Sequence, residues 1–203
     1  MKKYAVLHEP GDIVTLAGTR FVVLDVERRG SLPDSLFLLA LESVGASEFG
    51  SSNNYAESDL KKAVDKWLED MGKRGLDNAK LIPREIDLTT LDGSGCYGKL
   101  SVKAAPLTLD EAREYADIIP NAERWCWLAT GWSGPSKSDG DLALYVDSSG
   151  DWYSSRCSSS YGIRPALKAP SILFEDSEAG LDLSKIPTDD LLQEIHRRLA
   201  EKA

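Results

Sequence analysis

The side chains that most often carry acid–base or nucleophilic chemistry are sparse in this sequence. Its two histidines, His8 and His196, lie near opposite ends of the chain. A serine or cysteine nucleophile needs a positioned base, which is usually a histidine, and a histidine-rich metal site needs more imidazoles than two. We therefore predict no catalytic residues, no metal site and no cofactor.

The three cysteines, Cys96, Cys126 and Cys157, are odd in number and widely spaced. Disulfide frameworks use even numbers of cysteines, and zinc sites use short, regular spacings. Three reduced, partly buried thiols in a reducing compartment are the favoured interpretation. A Cys126–Cys157 bridge stays open as the alternative.

Two acidic segments resemble fragments of calcium loops, Asp139-Gly140-Asp141 and Asp147-Ser148-Ser149-Gly150-Asp151. The second lacks the alternating carboxylates and the bidentate Glu of a helix–loop–helix calcium site. Turn formation explains Asp, Ser and Gly in this order without a metal. Calcium remains the minority interpretation.

A different kind of chemistry is indicated by residues 127–162, where Trp, Tyr, Ser and Gly are dense. Trp and Tyr offer large contact areas at low entropic cost, while Ser and Gly adapt their hydrogen bonds to a partner. The predicted ligand-binding residues are Trp132, Ser136, Trp152, Tyr153, Ser155, Ser159 and Tyr161. Burial in the core is an equally good interpretation for Trp132, Tyr153 and Tyr161, and it is the favoured one for Trp125 and Trp127.

The overall composition fits a globular domain that avoids nucleic acid and membranes. Of the 203 residues, 42% are apolar and 28% are charged, which are ordinary values for a packed domain. The formal charge of -9 repels phosphate backbones. The N-terminal apolar run is too short for a signal peptide, and no stretch approaches the roughly 20 apolar residues of a membrane span. We therefore expect a cytoplasmic protein.

Periodicity and turn signals predict the elements that must position these residues. Ser58 and Thr108 are typical N-caps, and they predict helices that end at Gly72 and Pro120. Residues 73–106 are predicted to be irregular, and residues 45–56 to be a polar loop. The predicted strands are Ile13–Leu16, Arg20–Val26, Leu36–Leu41, Trp125–Leu128, Leu142–Val146, Asp151–Arg156 and Ile163–Leu167.

Three segments in this order carry a resemblance to a known family: Trp125-Cys126-Trp127-Leu128-Ala129-Thr130, Tyr145-Val146-Asp147-Ser148-Ser149-Gly150 and Tyr161-Gly162-Ile163-Arg164-Pro165-Ala166-Leu167. They resemble an uncharacterised bacterial and phage domain family whose members read Trp-Trp-Leu-Arg-Ser, Val-Asn-x-x-Gly and Gly-Val-Arg-Pro-Ala-Leu. The resemblance spans roughly residues 11–168. The family is similar to C-type-lectin-like domains of the formylglycine-generating-enzyme type, and related folds are target proteins of diversity-generating retroelements.

The resemblance implies an α+β, C-type-lectin-like domain over residues 1–170. Two helices would pack on an antiparallel sheet that contains Trp125–Leu128, Leu142–Val146 and Ile163–Leu167. Ala129 departs from the family's usual Arg, so any salt bridge made there is absent. Arg164 in the closing motif is predicted to be structural, donating to loop carbonyls or to a carboxylate.

The function implied by the resemblance is a non-catalytic ligand-binding module of a phage or mobile element. Its partner would be a protein or a glycan, and the chain would be cytoplasmic and could enter a phage particle. A structural virion or assembly subunit is the alternative. An enzyme related to formylglycine-generating enzymes is less favoured, because Cys126 and Cys157 do not follow the oxidase cysteine pattern.

Residues 171–203 are predicted to form an acid-rich linker and a C-terminal helix that begins after Thr188. Leu192, Ile195 and Leu199 give this helix an apolar stripe, and a helix of this length is marginal in water without a partner. Two interpretations stay open: the helix docks on another copy or a larger assembly, or it folds back on its own domain.

Deleting residues 171–203 separates these interpretations. A docking helix predicts that light scattering shows loss of oligomers while the melting temperature is unchanged. A helix that folds back predicts a lower melting temperature, because apolar contacts with the domain are lost. Unchanged mass and unchanged melting temperature together would contradict both.

Overall fold

Two five-stranded β-sheets organise the chain, of which the computed structural model describes residues 8–29, 32–174 and 192. In chain order, the first sheet contains β1 (Ile13–Leu16), β2 (Thr19–Arg29), β3 (Leu32–Ala40), β7 (Ala104–Ala105) and β12 (Ala166–Pro170). The second contains β4 (Ala46–Glu48), β8 (Cys126–Gly131), β9 (Leu142–Val146), β10 (Trp152–Arg156) and β11 (Ser160–Gly162). A separate hairpin is formed by β5 (Arg84–Asp87) and β6 (Lys99–Val102).

The strand orders show a mostly antiparallel fold. The first sheet runs β1-β2-β3-β12-β7 and the second β10-β9-β8-β11-β4. Among the described strands, the pairing of β8 with β11 is parallel and the other pairings are antiparallel. Since the described residues also form two α-helices, the chain is an α+β protein, as predicted.

Both predicted helices are present, and their N-caps act as expected. The Ser58 hydroxyl accepts a hydrogen bond from the Lys61 backbone N–H at the start of α1 (Asp59–Lys73). Thr108 and Glu111 form a capping box at the start of α2 (Leu109–Glu114). The predicted ends were less accurate: α1 extends just past Gly72, and α2 stops well before Pro120.

The predicted first hairpin is confirmed, and its turn shows why it forms. Ala17 and Gly18 link β1 to β2 with φ values of 47° and 76°. Two positive φ values are typical of the tight turn whose twist matches that of antiparallel strands. Glycine adopts this conformation without strain, which explains why Gly18 occupies the turn.

Two apolar clusters lie on opposite faces of the sheets. Phe21 and Val23 of β2 belong to the larger cluster, which also contains the apolar stripe of α1. Val22 and Leu24 belong to the smaller cluster, which contains Leu109 and other residues of α2. The third strand is buried on both faces, since its neighbouring residues Leu38 and Leu39 are both buried, as is typical of a continuous apolar run such as Leu36–Leu41.

Residues 73–106, predicted to be irregular, contain three short strands, so that prediction was wrong. The strands β5, β6 and β7 are two to four residues long, which is too short for a clear alternating pattern. The polar loop 45–56 likewise contains β4, three residues that pair with β11. These short strands form because they pair with other strands, and the composition of each segment alone does not reveal that pairing.

The predicted closing strand Ile163–Leu167 is also wrong, because the chain changes sheets within it. Gly162 ends β11 in the second sheet, and Ala166 begins β12 in the first. The three strands predicted to share one sheet therefore lie in two. Between the two strands, Pro165 has no backbone N–H to donate to a ladder.

A second stretch of chain makes the same change of sheet beside it. The backbone N–H groups of Ala40 and Val44 donate to the carbonyls of Pro165 and Ile163, each at 2.8 Å. The Ile163 N–H donates to the Gly45 carbonyl at 2.9 Å. Residues 40–45 and 162–166 thus cross together from sheet to sheet, and we call these two stretches the paired crossover.

The described domain continues past β12 through a 3₁₀ turn at Ser171–Phe174, where Phe174 is buried. Deletion of residues 171–203 would remove this core residue as well, so the test of the predicted C-terminal helix is made by deleting residues 175–203. The Phe174 ring meets His8 edge-on, with ring centroids 5.9 Å apart. The predicted helix after Thr188 lies outside the described residues, apart from Leu192. No helix in the described part of the chain is long and apolar enough to cross a membrane.

A buried amide, that of Asn53, ties together the loops around the second sheet. Its Nδ2 donates to the carbonyls of Ser133 at 2.9 Å and Leu142 at 3.0 Å. Its Oδ1 accepts a hydrogen bond from the Tyr97 hydroxyl at 2.6 Å. The residue is 1% exposed, so the Asn53 amide depends on these three partners for satisfaction away from water.

We predict that Asn53→Asp lowers the free energy of unfolding by about 2 to 3 kcal/mol at neutral pH, because an acceptor oxygen then faces two carbonyls. Chemical denaturation measures the loss. Acidification to about pH 4 restores part of it, since a buried carboxyl has a raised pKa and its protonated form regains one donor.

The neighbouring Asn54→Asp is the matched control. Asn54 is half-buried, and its Oδ1 accepts from the Ala56 N–H at the start of a 3₁₀ turn. A carboxylate keeps that acceptor, so the change stays within about 0.5 kcal/mol. Equal losses in the two variants would contradict the role given to Asn53.

Candidate functional site

Five aromatic rings lie together on one face of the second sheet. They are Trp125, which precedes β8, Trp127 of β8, Tyr145 of β9, Tyr153 of β10 and Tyr161 of β11. Tyr145 is the register partner of both Tyr153 and Trp127, and directly opposite residues point to the same side of a sheet. We call these five residues the aromatic face.

The rings of the aromatic face contact one another closely, with Tyr145 at the centre. The Trp125 ring stacks on Tyr145 at a centroid distance of 5.2 Å and an interplanar angle of 20°. Tyr161 lies 4.7 Å from Tyr145, and Tyr153 lies 5.9 Å from it. Aromatic pairs at such separations stabilise each other beyond simple burial, so each ring limits the freedom of its neighbours.

One part of the aromatic face is buried, and another part, Trp125 and Tyr153, is exposed; we call this exposed part the crest. Trp127 is 1% exposed, and its indole N–H donates to the Ser47 carbonyl at 3.0 Å. Trp125 and Tyr153 are 45% and 50% exposed. Large aromatic surfaces held in place and open to solvent are typical of residues that dominate binding interfaces.

Hydroxyl groups border the crest. The Tyr161 hydroxyl donates to Ser155 Oγ at 3.0 Å, and Ser155 Oγ lies 3.0 Å from Ser159 Oγ. On the other side of Trp125, a shallow depression is lined by the polar side chains of Glu123, Arg124, Ser148, Ser160 and Tyr161. Acidic, basic and hydroxyl groups that can form hydrogen bonds therefore lie around the exposed Trp125 indole.

The structure brings together four of the seven predicted ligand-binding residues. Tyr153, Ser155, Ser159 and Tyr161 belong to the aromatic face or its hydroxyl border. Ser136 is exposed in the loop before β9, and no described hydrogen bond connects it to them.

Trp132 and Trp152 lie elsewhere. Trp152 is adjacent to Tyr153 in β10, so it points to the opposite face of the sheet. Trp132 is half-buried and packs against the smaller apolar cluster, which includes Leu128 and Leu144. The predicted set is thus divided between two faces, because alternation along strands separates residues that are neighbours in sequence.

Sequence reasoning missed two residues of the aromatic face. Trp125 was expected in the core, and it is exposed because β8 begins one residue later, at Cys126. The core expectation for Trp127 is confirmed. Tyr145 was assigned only to a strand, although its spacing within Leu142–Val146 could have placed it on the face of Ala143, opposite Leu144.

On the opposite face, α2 and the turn after it cover an apolar cleft of about 200 Å³. Trp152 and Arg164 both line it, and the Arg113 guanidinium lies over the Trp152 ring at 5.4 Å. Arg164 donates from Nε to the Ala40 carbonyl at 2.8 Å, which agrees with its predicted structural bond to a carbonyl. Its Nη2 is buried with no hydrogen-bond partner.

The acidic segment at 147–151 forms a turn instead of a metal loop. Asp147 Oδ1 accepts hydrogen bonds from the Ser149 N–H and hydroxyl, both at 2.8 Å, and from the Asp151 N–H at 3.0 Å. These bonds, led by that of the Ser149 hydroxyl, lower the pKa of Asp147. No group of three or more His, Cys, Asp or Glu side chains within the described residues is arranged to hold a metal.

The three cysteines are free thiols, as the favoured interpretation predicted, and the alternative Cys126–Cys157 bridge is not formed. Cys96 is exposed, while Cys126 and Cys157 are buried. Burial raises the pKa of the Cys126 thiol to about 11 and that of Cys157 to about 12. Both buried thiols are therefore protonated and poor nucleophiles near neutral pH.

Comparison with protein-family models, curated proteins and solved structures found no match to this chain. The fold supports the class of α+β proteins, since the described residues form mostly antiparallel sheets together with the helices α1 and α2.

These thiol environments predict the reactivity of the folded protein. At about pH 8, one thiol per chain reacts rapidly with a chromogenic disulfide reagent, and all three react after denaturation. Cys96→Ser removes the rapid phase and leaves the two slow thiols. Rapid reaction of two thiols in the folded Cys96→Ser variant would contradict the burial described here, as would fewer than three thiols after denaturation of the wild type.

Proposed function

We propose that this chain is a non-catalytic binding module that contacts a protein or a glycan through the aromatic face. The observation that carries the proposal is the pair of exposed rings, Trp125 and Tyr153, on either side of the ring of Tyr145. An indole and a phenol ring in this position offer a partner flat apolar surface together with polar atoms at the ring edge.

Preorganisation supports binding as the role of this surface. Trp127 and Tyr145 are buried beneath the crest, and Trp127 lies 4.6 Å from Tyr161. A partner therefore meets rings that are already ordered, so little side-chain entropy is lost on association. The hydroxyls of Tyr161, Ser155 and Ser159 already bond to one another, and they can exchange these bonds for bonds to a ligand.

We further propose that the domain is C-type-lectin-like. Two helices packed with mostly antiparallel strands, and a Gly162-Ile163-Arg164-Pro165 segment that closes the fold between sheets, support this assignment. It agrees with the sequence resemblance, which also supports a role in a phage or mobile element. Binding loops and edges on a rigid scaffold are a frequent arrangement in such modules.

The experiment is a binding screen with two matched variants. The labelled full chain is applied to a glycan array and to a displayed-peptide library, and the ligands retained are titrated against Trp125→Ala and Tyr153→Ala. Each variant is expected to weaken binding by about tenfold or more, since central aromatic residues contribute about 2 kcal/mol or more at interfaces.

The control is Ile13→Ala, which removes another exposed apolar side chain, 50% exposed, from the first sheet. It should bind as the wild type does. If the control and the two aromatic variants lose affinity equally, the ligand does not use the aromatic face. A third outcome is that the chain binds only other copies of itself. If light scattering then shows that Trp125→Ala abolishes this self-association, the aromatic face serves assembly instead.

A further inference from the structure

The cleft beneath α2 lies on the opposite side of the second sheet from the exposed rings Trp125 and Tyr153, shares only Trp127 with the aromatic face among the described residues, and has a different character. It lies on the other side of the second sheet, where Leu128 and Val146 form apolar walls together with Leu107 and Ala112. Trp152 borders it and is 40% exposed. The cleft is therefore an apolar space that opens to solvent beside an indole ring.

A single charged side chain, Arg164, is among the described residues that line this cleft. The protein as a whole carries a formal charge of -9, so an acid-free cleft with one cation stands out from the rest of the surface. Arg113, stacked over Trp152 at 5.4 Å, is paired with Asp110 at 3.4 Å, so Arg164 is the residue that gives the cleft its positive charge. The electrostatics of the cleft thus favour an anion.

Arg164 is 7% exposed, yet its charge is not matched by a carboxylate. No ion pair involves it among the described residues, and Glu42, which acts on it electrostatically, is paired with Arg20. The one hydrogen bond described for it goes from Nε to Ala40, while Nη2 is buried and unpartnered. Burying a cation without a counter-charge is costly.

Arg84, the other buried arginine among the described residues, shows how a buried guanidinium is matched by a carboxylate, while its Nε, like Nη2 of Arg164, has no hydrogen-bond partner. Arg84 is paired with the Glu111 carboxylate, and its Nη2 donates to the carbonyls of Ala105 at 3.1 Å and Pro106 at 3.2 Å. Arg164 has a comparable burial and lacks the acid. The difference indicates that the partner of Arg164 comes from outside the described part of the chain.

We propose that the cleft binds a small carboxylate with an apolar body. The body lies against Leu128 and Trp152, and the carboxylate accepts hydrogen bonds from the Arg164 guanidinium. A guanidinium matches a carboxylate in planarity and spacing. The volume of about 200 Å³ suits a body of one ring, since an engineered cavity of about 150 Å³ in another protein holds benzene.

The experiment compares benzoate with benzamide, which has the same ring and no charge, on the isotope-labelled full chain. Benzoate is expected to cause saturable shifts in the NMR signals of the Trp152 indole, Ala112 and the Arg164 Nε–H. Benzamide should bind about tenfold or more weakly, because the charge-assisted hydrogen bonds are lost.

Two variants with opposite designs locate the site. Ala116 is exposed and lines the cleft, so Ala116→Trp obstructs it without altering Arg164, and benzoate binding is lost. Ala79→Trp adds the same side chain at an exposed position outside the cleft and leaves binding unchanged. Arg164→Gln, where it folds, binds benzoate and benzamide with equal affinity.

Three results would overturn the proposal. They are the absence of saturable benzoate shifts at the cleft residues, equal affinity of the wild type for benzoate and benzamide, and unchanged benzoate binding in Ala116→Trp. The comparison on the wild-type chain needs no variant, so it decides the question even if Arg164→Gln does not fold. None of these results depends on Trp125 or Tyr153, so the proposed function is tested separately.

Discussion

The paired crossover is the constraint on which the rest of this structure depends. Residues 40–45 and 162–166 pass from one sheet to the other while their backbones hydrogen-bond to each other, so backbone groups of both stretches exchange partners as the chain leaves one ladder for another. Gly162 is required here by space: an added Cβ would lie 2.8 Å from both Cys126 Sγ and Ser43 Oγ. The Arg164 Nε–H, bonded to the Ala40 carbonyl, fastens the two stretches at their centre.

From this junction the second sheet presents two unlike surfaces. Alternation along β8, β9 and β10 directs Trp127, Tyr145 and Tyr153 to one face, and Leu128, Leu144 and Trp152 to the other. One face carries stacked rings with an exposed crest, and the other forms an apolar cleft with a buried cation. The second sheet, whose strands are three to six residues long, therefore separates the aromatic face from the cleft. The aromatic face has the shape for a large partner, and the cleft has room for a small one.

Buried polar groups hold this arrangement in register. Asn53 joins the loop before α1 to the ends of β8 and β9, and Arg84 joins the β5–β6 hairpin to the N-terminus of α2 through Glu111. Each replaces lost hydration with several hydrogen bonds of defined direction, which apolar packing cannot provide. The two residues lie far in sequence from the groups that they satisfy, so their roles become visible only in the folded chain.

By itself, the sequence determined the features that depend on neighbouring residues. The Ala17-Gly18 turn, the Ser58 and Thr108 caps and the strands Ile13–Leu16 and Leu142–Val146 follow from local sterics, hydrogen bonding and periodicity, which act within a few residues. Tertiary structure alone decided the features that depend on distant partners. It divided the predicted closing strand between two sheets, exposed Trp125, separated Trp152 from Tyr153 by a sheet and placed no carboxylate of the described residues on Arg164. Short strands and buried charges are stabilised by contacts with residues distant in the sequence. Such contacts produce no periodic pattern of apolar residues from which they could be predicted.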